Sequence, residues 1–186
     1  MARLRDWQIC ASLDGTGAIG EYIRTGLDYE AWLANFQEVI RVATHRRQAR
    51  IDFTPTLPGM FELQNIEKLA TELGVDILAK VVFSFSPDII MSPLALPKEV
   101  LHPWIDELLV GQDPAGHLQN SSLRDILIQL KTRPTFQEQY PDTWQAALAE
   151  GKRRVLQLES IRQDELTLAD ILLERREVYE WYQTIS

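Results

Sequence analysis

Apolar residues in this chain recur with two rhythms, one of strands and one of helices. Trp7-Gln8-Ile9-Cys10-Ala11-Ser12-Leu13 is short and dense, and Asp14-Gly15-Thr16-Gly17 closes it as a turn, which predicts a first strand. Over residues 29–47 the period lengthens. Trp32, Phe36, Val39, Ile40 and Ala43 lay one apolar stripe along a helix, and Asp28 is placed to cap its start. His45, Arg46, Arg47 and Arg50 gather at the far end, where cations complement the helix dipole. A second strand is expected over 50–57, with Ile51, Phe53 and Leu57 pointing one way, before the turn Pro58-Gly59. A second helix follows over 62–73, with Leu63, Ile66, Leu69, Ala70 and Leu73 on one face and Gly74 just past its end. The third strand is expected over 76–85, with Ile89-Ile90-Met91 as a short extension beyond Ser86-Pro87.

Strand, helix, strand, helix, strand with tight connections is the signature of parallel βαβ units. Right-handed crossovers put both helices on one side of the sheet. Parallel sheets are normally covered on both faces, so the opposite face must meet either the rest of this chain or another polypeptide. A third helix starts near Pro97 and carries Leu101, Trp104, Ile105, Leu108 and Leu109. After Gly111-Gln112-Asp113-Pro114 the pattern reads as helix throughout: 123–131, 135–139, 143–150, 153–159 and 168–183. The division expected is an α/β part, 1–110, and a helical C-terminal region, 111–186.

Composition narrows the function classes. The 186 residues are 45% hydrophobic and 25% charged, ordinary for a globular domain, and no apolar run reaches membrane-spanning length. Nineteen Lys and Arg against 27 Asp and Glu give a net charge of −8, which disfavours nucleic-acid and anionic-membrane partners. No targeting segment is visible, so a cytoplasmic location is expected. Cys10 is the one cysteine. It excludes an internal disulfide and any site built from several thiolates of this chain, and its place within a strand favours a small core residue over a ligand.

The candidate chemistry lies at the end of the first strand. Ser12 and Asp14 stand at the carboxyl end of a parallel strand, where α/β sheets bind ligands. Their oxygens suit hydroxyls or an amine, and Arg24, ten residues beyond Asp14, suits a carboxylate. The competing reading is a plain strand-to-helix turn in which Ser12 and Asp14 satisfy local backbone groups.

Ser12-Leu13-Asp14-Gly15, then Tyr22-Ile23-Arg24 and Gly26, then Trp32 through Asn35 and Val39, resemble radical S-adenosylmethionine (radical SAM) enzymes from the fourth barrel strand onward. Within that family the chain resembles the twitch domain-containing radical SAM proteins, and the resemblance covers about residues 7–110. It implies the parallel βαβαβ half of a partial (β/α)6 barrel, strands four to six, followed by a helical C-terminal region. It also implies a role in holding S-adenosylmethionine. Ser12 and Asp14 match positions near the cofactor's ribose and methionine moiety, and Arg24 matches the arginine that meets its carboxylate. Ile51, Phe53 or Thr54 would pass near the adenine, and residues 84–86 would face the substrate.

One departure is large. The family holds its [4Fe–4S] cluster with three cysteines in a C-x3-C-x2-C loop, and Cys10 alone cannot ligate one. The expectation is therefore the cofactor- and substrate-contacting C-terminal portion of such an enzyme, inactive in radical chemistry on its own. Its partner would be the missing N-terminal barrel half or a complementary chain, and it would bind free S-adenosylmethionine weakly or not at all. The alternatives are a non-catalytic interaction module on a degenerate α/β scaffold, and an unrelated small-ligand α/β enzyme using Ser12 and Asp14.

Other patterns are weaker. His45, His102 and His117 have no metal-ligand spacing. Gly15-x-Gly17-x-x-Gly20 matches a dinucleotide fingerprint, but no clear helix is expected to begin there. Lys152-Arg153-Arg154 and Arg175-Arg176, with Tyr179, Trp181 and Tyr182, read as amphipathic helix rather than as a surface for single-stranded nucleic acid.

Overall fold

A computed structural model describes residues 7–81, 86–110, 117–163 and 165–186. Its centre is a three-stranded, fully parallel sheet in the order β1 (Ile9–Ser12), β2 (Ala49–Phe53), β3 (Asp76–Ala79). Ser12 sits beside Asp52 and Asp52 beside Leu78, so strand alternation sorts the sheet into two faces. Leu13, Ile51, Phe53 and Ile77 lie on the apolar face and are buried with Phe36, Ile66 and Leu69 of the helices in one core. Leu57 joins them, as its spacing predicts. The other face carries Cys10, Ser12, Arg50, Asp52, Asp76 and Leu78, a polar surface that is unusual for a parallel sheet.

Several boundaries differ from the sequence reading. Helix α1 (Gly17–Ile23) occupies the glycine-rich stretch where none was expected. It forms because Gly17 takes φ of +48° and Gly20 packs directly on the Gly15 backbone, a place any Cβ would obstruct. Helix α2 (Tyr29–Val42) has the expected Asp28 cap, whose side chain accepts from Ala31 N–H at 2.9 Å. It stops five residues early, because the buried Gln48 side chain takes the Thr44 N–H at 2.7 Å and draws the chain into a 3-10 turn, Arg46–Gln48. Strand β2 ends at Phe53, ahead of Pro55, which has no N–H for a ladder. Helix α3 (Leu63–Leu73) ends as predicted on Gly74, at φ +66°. Strand β3 ends at Ala79, and the expected continuation at 82–85 lies outside the described residues.

Helix α4 (Lys98–Val110) leads into the helical tail: α5 (Ser121–Lys131), α6 (Phe136–Gln139), α7 (Trp144–Arg162), α8 (Leu168–Leu172) and α9 (Arg176–Thr184). The tail is anchored to the α/β part at separate points. Ser122 Oγ accepts the Ala79 N–H at 2.8 Å, capping the end of β3, and Trp104 of α4 packs against Phe61. Tyr22 of α1 donates to Glu159 of α7 at 2.8 Å. None of this covers β1, where Cys10 and Ser12 are exposed. Cys10 is thus a surface residue on the edge strand, contrary to the core position expected. Among the described residues no helix is long and apolar enough to cross a membrane.

Where the sequence suggests two helices broken near Gly151, α7 runs through without interruption. Gly151 is where α7 presses on the 88–90 segment, and a Cβ there would fall inside contact distance of the Asp88 carbonyl. Helix propensity alone would make Gly151→Ala stabilising by about 1 kcal/mol. The backbone contact reverses the sign. We expect a loss of about 1–3 kcal/mol, measured by urea unfolding against wild type.

Candidate functional site

The carboxyl end of β1 is held by two buried carboxylates. Asp14, 6% exposed, follows the strand, and its Oδ1 accepts the Thr54 N–H from the end of β2 at 2.9 Å. Its Oδ2 accepts both the Nε and the Nη2 of Arg24 at 2.8 Å. Arg24 is delivered to this point by the short helix α1, which turns the chain back over the strand it has just left. Glu62, 4% exposed, comes from the 3-10 turn Pro58–Glu62 after β2. Its Oε2 accepts the Thr16 N–H at 2.7 Å and the Thr16 hydroxyl, and its Oε1 takes Asn65 Nδ2 at 3.0 Å. The Thr16 N–H, one of the backbone donors of the glycine-rich turn, is thus bonded to the chain's own carboxylate.

The three residues singled out from sequence therefore divide. Asp14 and Arg24 come together, but as partners of each other. Ser12 stands apart on the polar sheet face with its side chain exposed. Ile51 and Phe53, offered as adenine neighbours, are fully buried in the core, which leaves Thr54 at the end of β2 as the accessible one of the three. Of the proposed substrate side, residues 84 and 85 lie outside the described residues, and Ser86 donates to Asp88.

One group escaped the sequence reading. Asp52, 9% exposed, lies beside Ser12 on the polar face and accepts Arg50 Nε at 2.9 Å on one oxygen and Lys80 Nζ on the other. The signal was present in Arg50-Ile51-Asp52-Phe53, where charges alternate with apolar residues instead of forming the unbroken apolar run of a doubly buried strand. Glu62 gave no local signal, because its partner lies 46 residues away.

No cluster fits this site. Cys10 is a single thiolate, and among the described residues no three His, Cys, Asp or Glu side chains group to hold a metal. His45 is exposed and caps the 3-10 turn beside it, while burial, with Lys98 and Lys131 nearby, pushes His102 down.

Behind the site, Glu159 secures α1 to the tail. Its Oε1 accepts both the Tyr22 hydroxyl and the Leu168 N–H, at 2.8 and 2.7 Å, and Arg162 lies over the Tyr22 ring while donating to its carbonyl. Burial, then the hydrogen bond to the Glu159 carboxylate, raise the Tyr22 phenol far above its ordinary range. Burial and Glu159 also push Tyr182 up to about 12. Both folded-state values lie above those of the unfolded chain. Stability from these phenols is complete below about pH 10 and falls as pH rises beyond it, where the unfolded chain releases protons that the fold retains. We expect Tyr22→Phe to cost about 1–2 kcal/mol at neutral pH. The variant should also flatten the alkaline decline in stability, both read from urea unfolding between neutral and strongly alkaline pH.

Comparisons of the chain with protein-family models, curated proteins and solved structures find no match.

Proposed function

We propose that this chain is the S-adenosylmethionine-facing part of a radical SAM-type barrel, completed at β1 by polypeptide that carries the iron–sulfur cluster. The observation that carries the reading is the edge strand β1. It has no neighbour on its outer side among the described residues, residues 7–13 contain no charge, and Ile9, Cys10 and Ser12 are exposed. Natural sheet edges are usually blunted by charge, proline or cover, and an unguarded edge is a pairing surface. The polar face beside it supplies the second support, since a barrel interior that meets a ligand needs hydrogen-bonding groups where a packed sheet would have apolar ones.

In this reading Ser12 offers its exposed hydroxyl to the cofactor. Asp14 is a positioning residue that fixes the Arg24 guanidinium through Nε and Nη2 and leaves Nη1 for the methionyl carboxylate. Thr54 stands nearest the adenine. The cofactor, when held against a reduced cluster, supplies one-electron chemistry. That cluster belongs to the complementary polypeptide, because Cys10 cannot ligate it. A second reading, a non-catalytic interaction module, draws on the same Asp14–Arg24 pair, which neutralises the two groups a cofactor would use.

Titration of the ¹⁵N-labelled chain with S-adenosylmethionine separates the two. We expect weak binding, with shifts confined to the amides of Ser12 to Gly15 and Thr54 and abolished by Arg24→Ala. No shift at saturating cofactor would overturn the reading in favour of the interaction module. Pairing at β1 is checked by hydrogen exchange. The Leu13 N–H bonds Asp52 O at 3.0 Å, so alternation turns the N–H groups of Cys10 and Ser12 outward. These two amides should exchange fast in the chain alone and become protected only with the complementary polypeptide.

A further inference from the structure

The polar sheet face holds more positive charge than its carboxylate can neutralise. Asp52 is nearly buried, and Arg50 and Lys80 each bind one of its two oxygens. Asp76, next to Arg50 in the sheet, does not balance the excess, because it is engaged by Arg46 at 2.7 Å. Taken together, Arg46, Arg50 and Lys80 face Asp52 and Asp76, a surplus of one cation within a chain whose net charge is −8.

The surplus is accessible and incompletely bonded. Only Nε of Arg50 is used, and among the described residues its two terminal nitrogens have no acceptor. The Arg50 side chain is 27% exposed and that of Lys80 is 52% exposed, so solvent reaches both. Ser12, exposed and in register with Asp52, adds a hydroxyl donor on the neighbouring strand. A guanidinium and an ammonium on one carboxylate, with a hydroxyl on the residue in register with it, offer donors that suit the oxygens of a second anion.

We propose that this face binds an oxyanion, a carboxylate or phosphate group of the small molecule on which the site acts, through Arg50, Lys80 and Ser12. Asp52 takes one contact from each cation and so competes with the incoming anion for them. This rests on the reading of the polar face as a ligand surface, and it adds the charge of the ligand's second group. That group is distinct from the methionyl carboxylate assigned to Arg24, which lies at the end of β1 beyond Ser12.

The test uses the intact ¹⁵N-labelled chain, titrated with sodium phosphate and separately with sodium acetate at constant ionic strength. Saturable shifts at Arg50 Nε–H and the Ser12 amide are expected, and the stronger arm tells a phosphate-bearing from a carboxylate-bearing ligand. Lys80→Gln, which keeps a hydrogen-bond donor for Asp52 but removes the charge, should weaken binding about tenfold, with circular dichroism checking that the fold is kept. Asp52→Asn removes the internal competitor and should tighten it, provided circular dichroism matches wild type. Shifts that fail to saturate, or that appear equally at the exposed Arg153 and Arg154, mean an unspecific ionic effect and overturn the proposal. If S-adenosylmethionine perturbs Ser12 and Thr54 while neither anion does, the oxyanion proposal fails alone. If none of the three ligands does, the ligand-surface reading fails with it.

Discussion

Strand β2 has to satisfy two environments with one backbone. Ile51 and Phe53 are fully buried in the core, while Arg50 and Asp52, alternating with them, sit on the polar face. Register between parallel strands is fixed by this alternation, because a slip of one residue would push two charges into the core and two large apolar groups out of it. β1 and β3 take their positions from β2 on either side. The helices then follow the apolar side, where Phe36, Ile66 and Leu69 complete the core against Ile51 and Phe53. The polar side keeps a carboxylate that needs two cations to stay nearly buried, since an unpaired one would cost several kcal/mol. The polar face of the sheet and the specification of its register are therefore the same feature of one five-residue strand.

How much of this could be read from sequence depended on the range of the interactions involved. The three strands, α2, α3 and the Gly74 stop are set by local periodicity and by turn residues, and they lie where those signals place them, apart from their ends. The early end of α2 is set by Gln48 bonding Thr44, a side-chain bond that competes with the helix and leaves no mark on periodicity. Helix α1 was invisible because its cause is a backbone contact between Gly15 and Gly20, which in sequence looks like a turn that forbids helix. The continuity of α7 failed to show for the same reason. Gly151 reads as a breaker, but it is small because the Asp88 backbone passes against it. Among the described residues, glycine marks close approach at least as often as it marks an end.

The site itself was half legible. Asp14 and Arg24 carried a sequence signal and meet in the structure, yet neither their pairing nor the role of Thr54 N–H could be read from a spacing of ten residues. Glu62 and Glu159 carried no signal, though each accepts from two groups of other elements. Such carboxylates act as clamps between segments remote in sequence, and their partners emerge only from the fold. Cys10 shows the converse error. A lone cysteine in an apolar strand reads as core, but core membership belongs to a face of the sheet, and β1 gives Cys10 the polar one.

The tail bears on the site through the Tyr22–Glu159 contact. Helix α1 is seven residues long, too short to be stable by propensity, and it is flanked by Thr16, which bonds Glu62, and by Arg24, which bonds Asp14. Glu159 and Arg162 of α7 grip its buried tyrosine through the hydroxyl and the carbonyl, while Glu62 grips the N–H of its capping residue Thr16. The helix is thus held at both ends by side chains from elsewhere, which lets Arg24 reach Asp14 with little freedom left to lose. A guanidinium fixed in this way meets a carboxylate without the ordering cost that a free arginine would carry. The cost is borne in folding by buried carboxylates at both ends of α1. That distribution accords with the helical region being built into the same core as the strands.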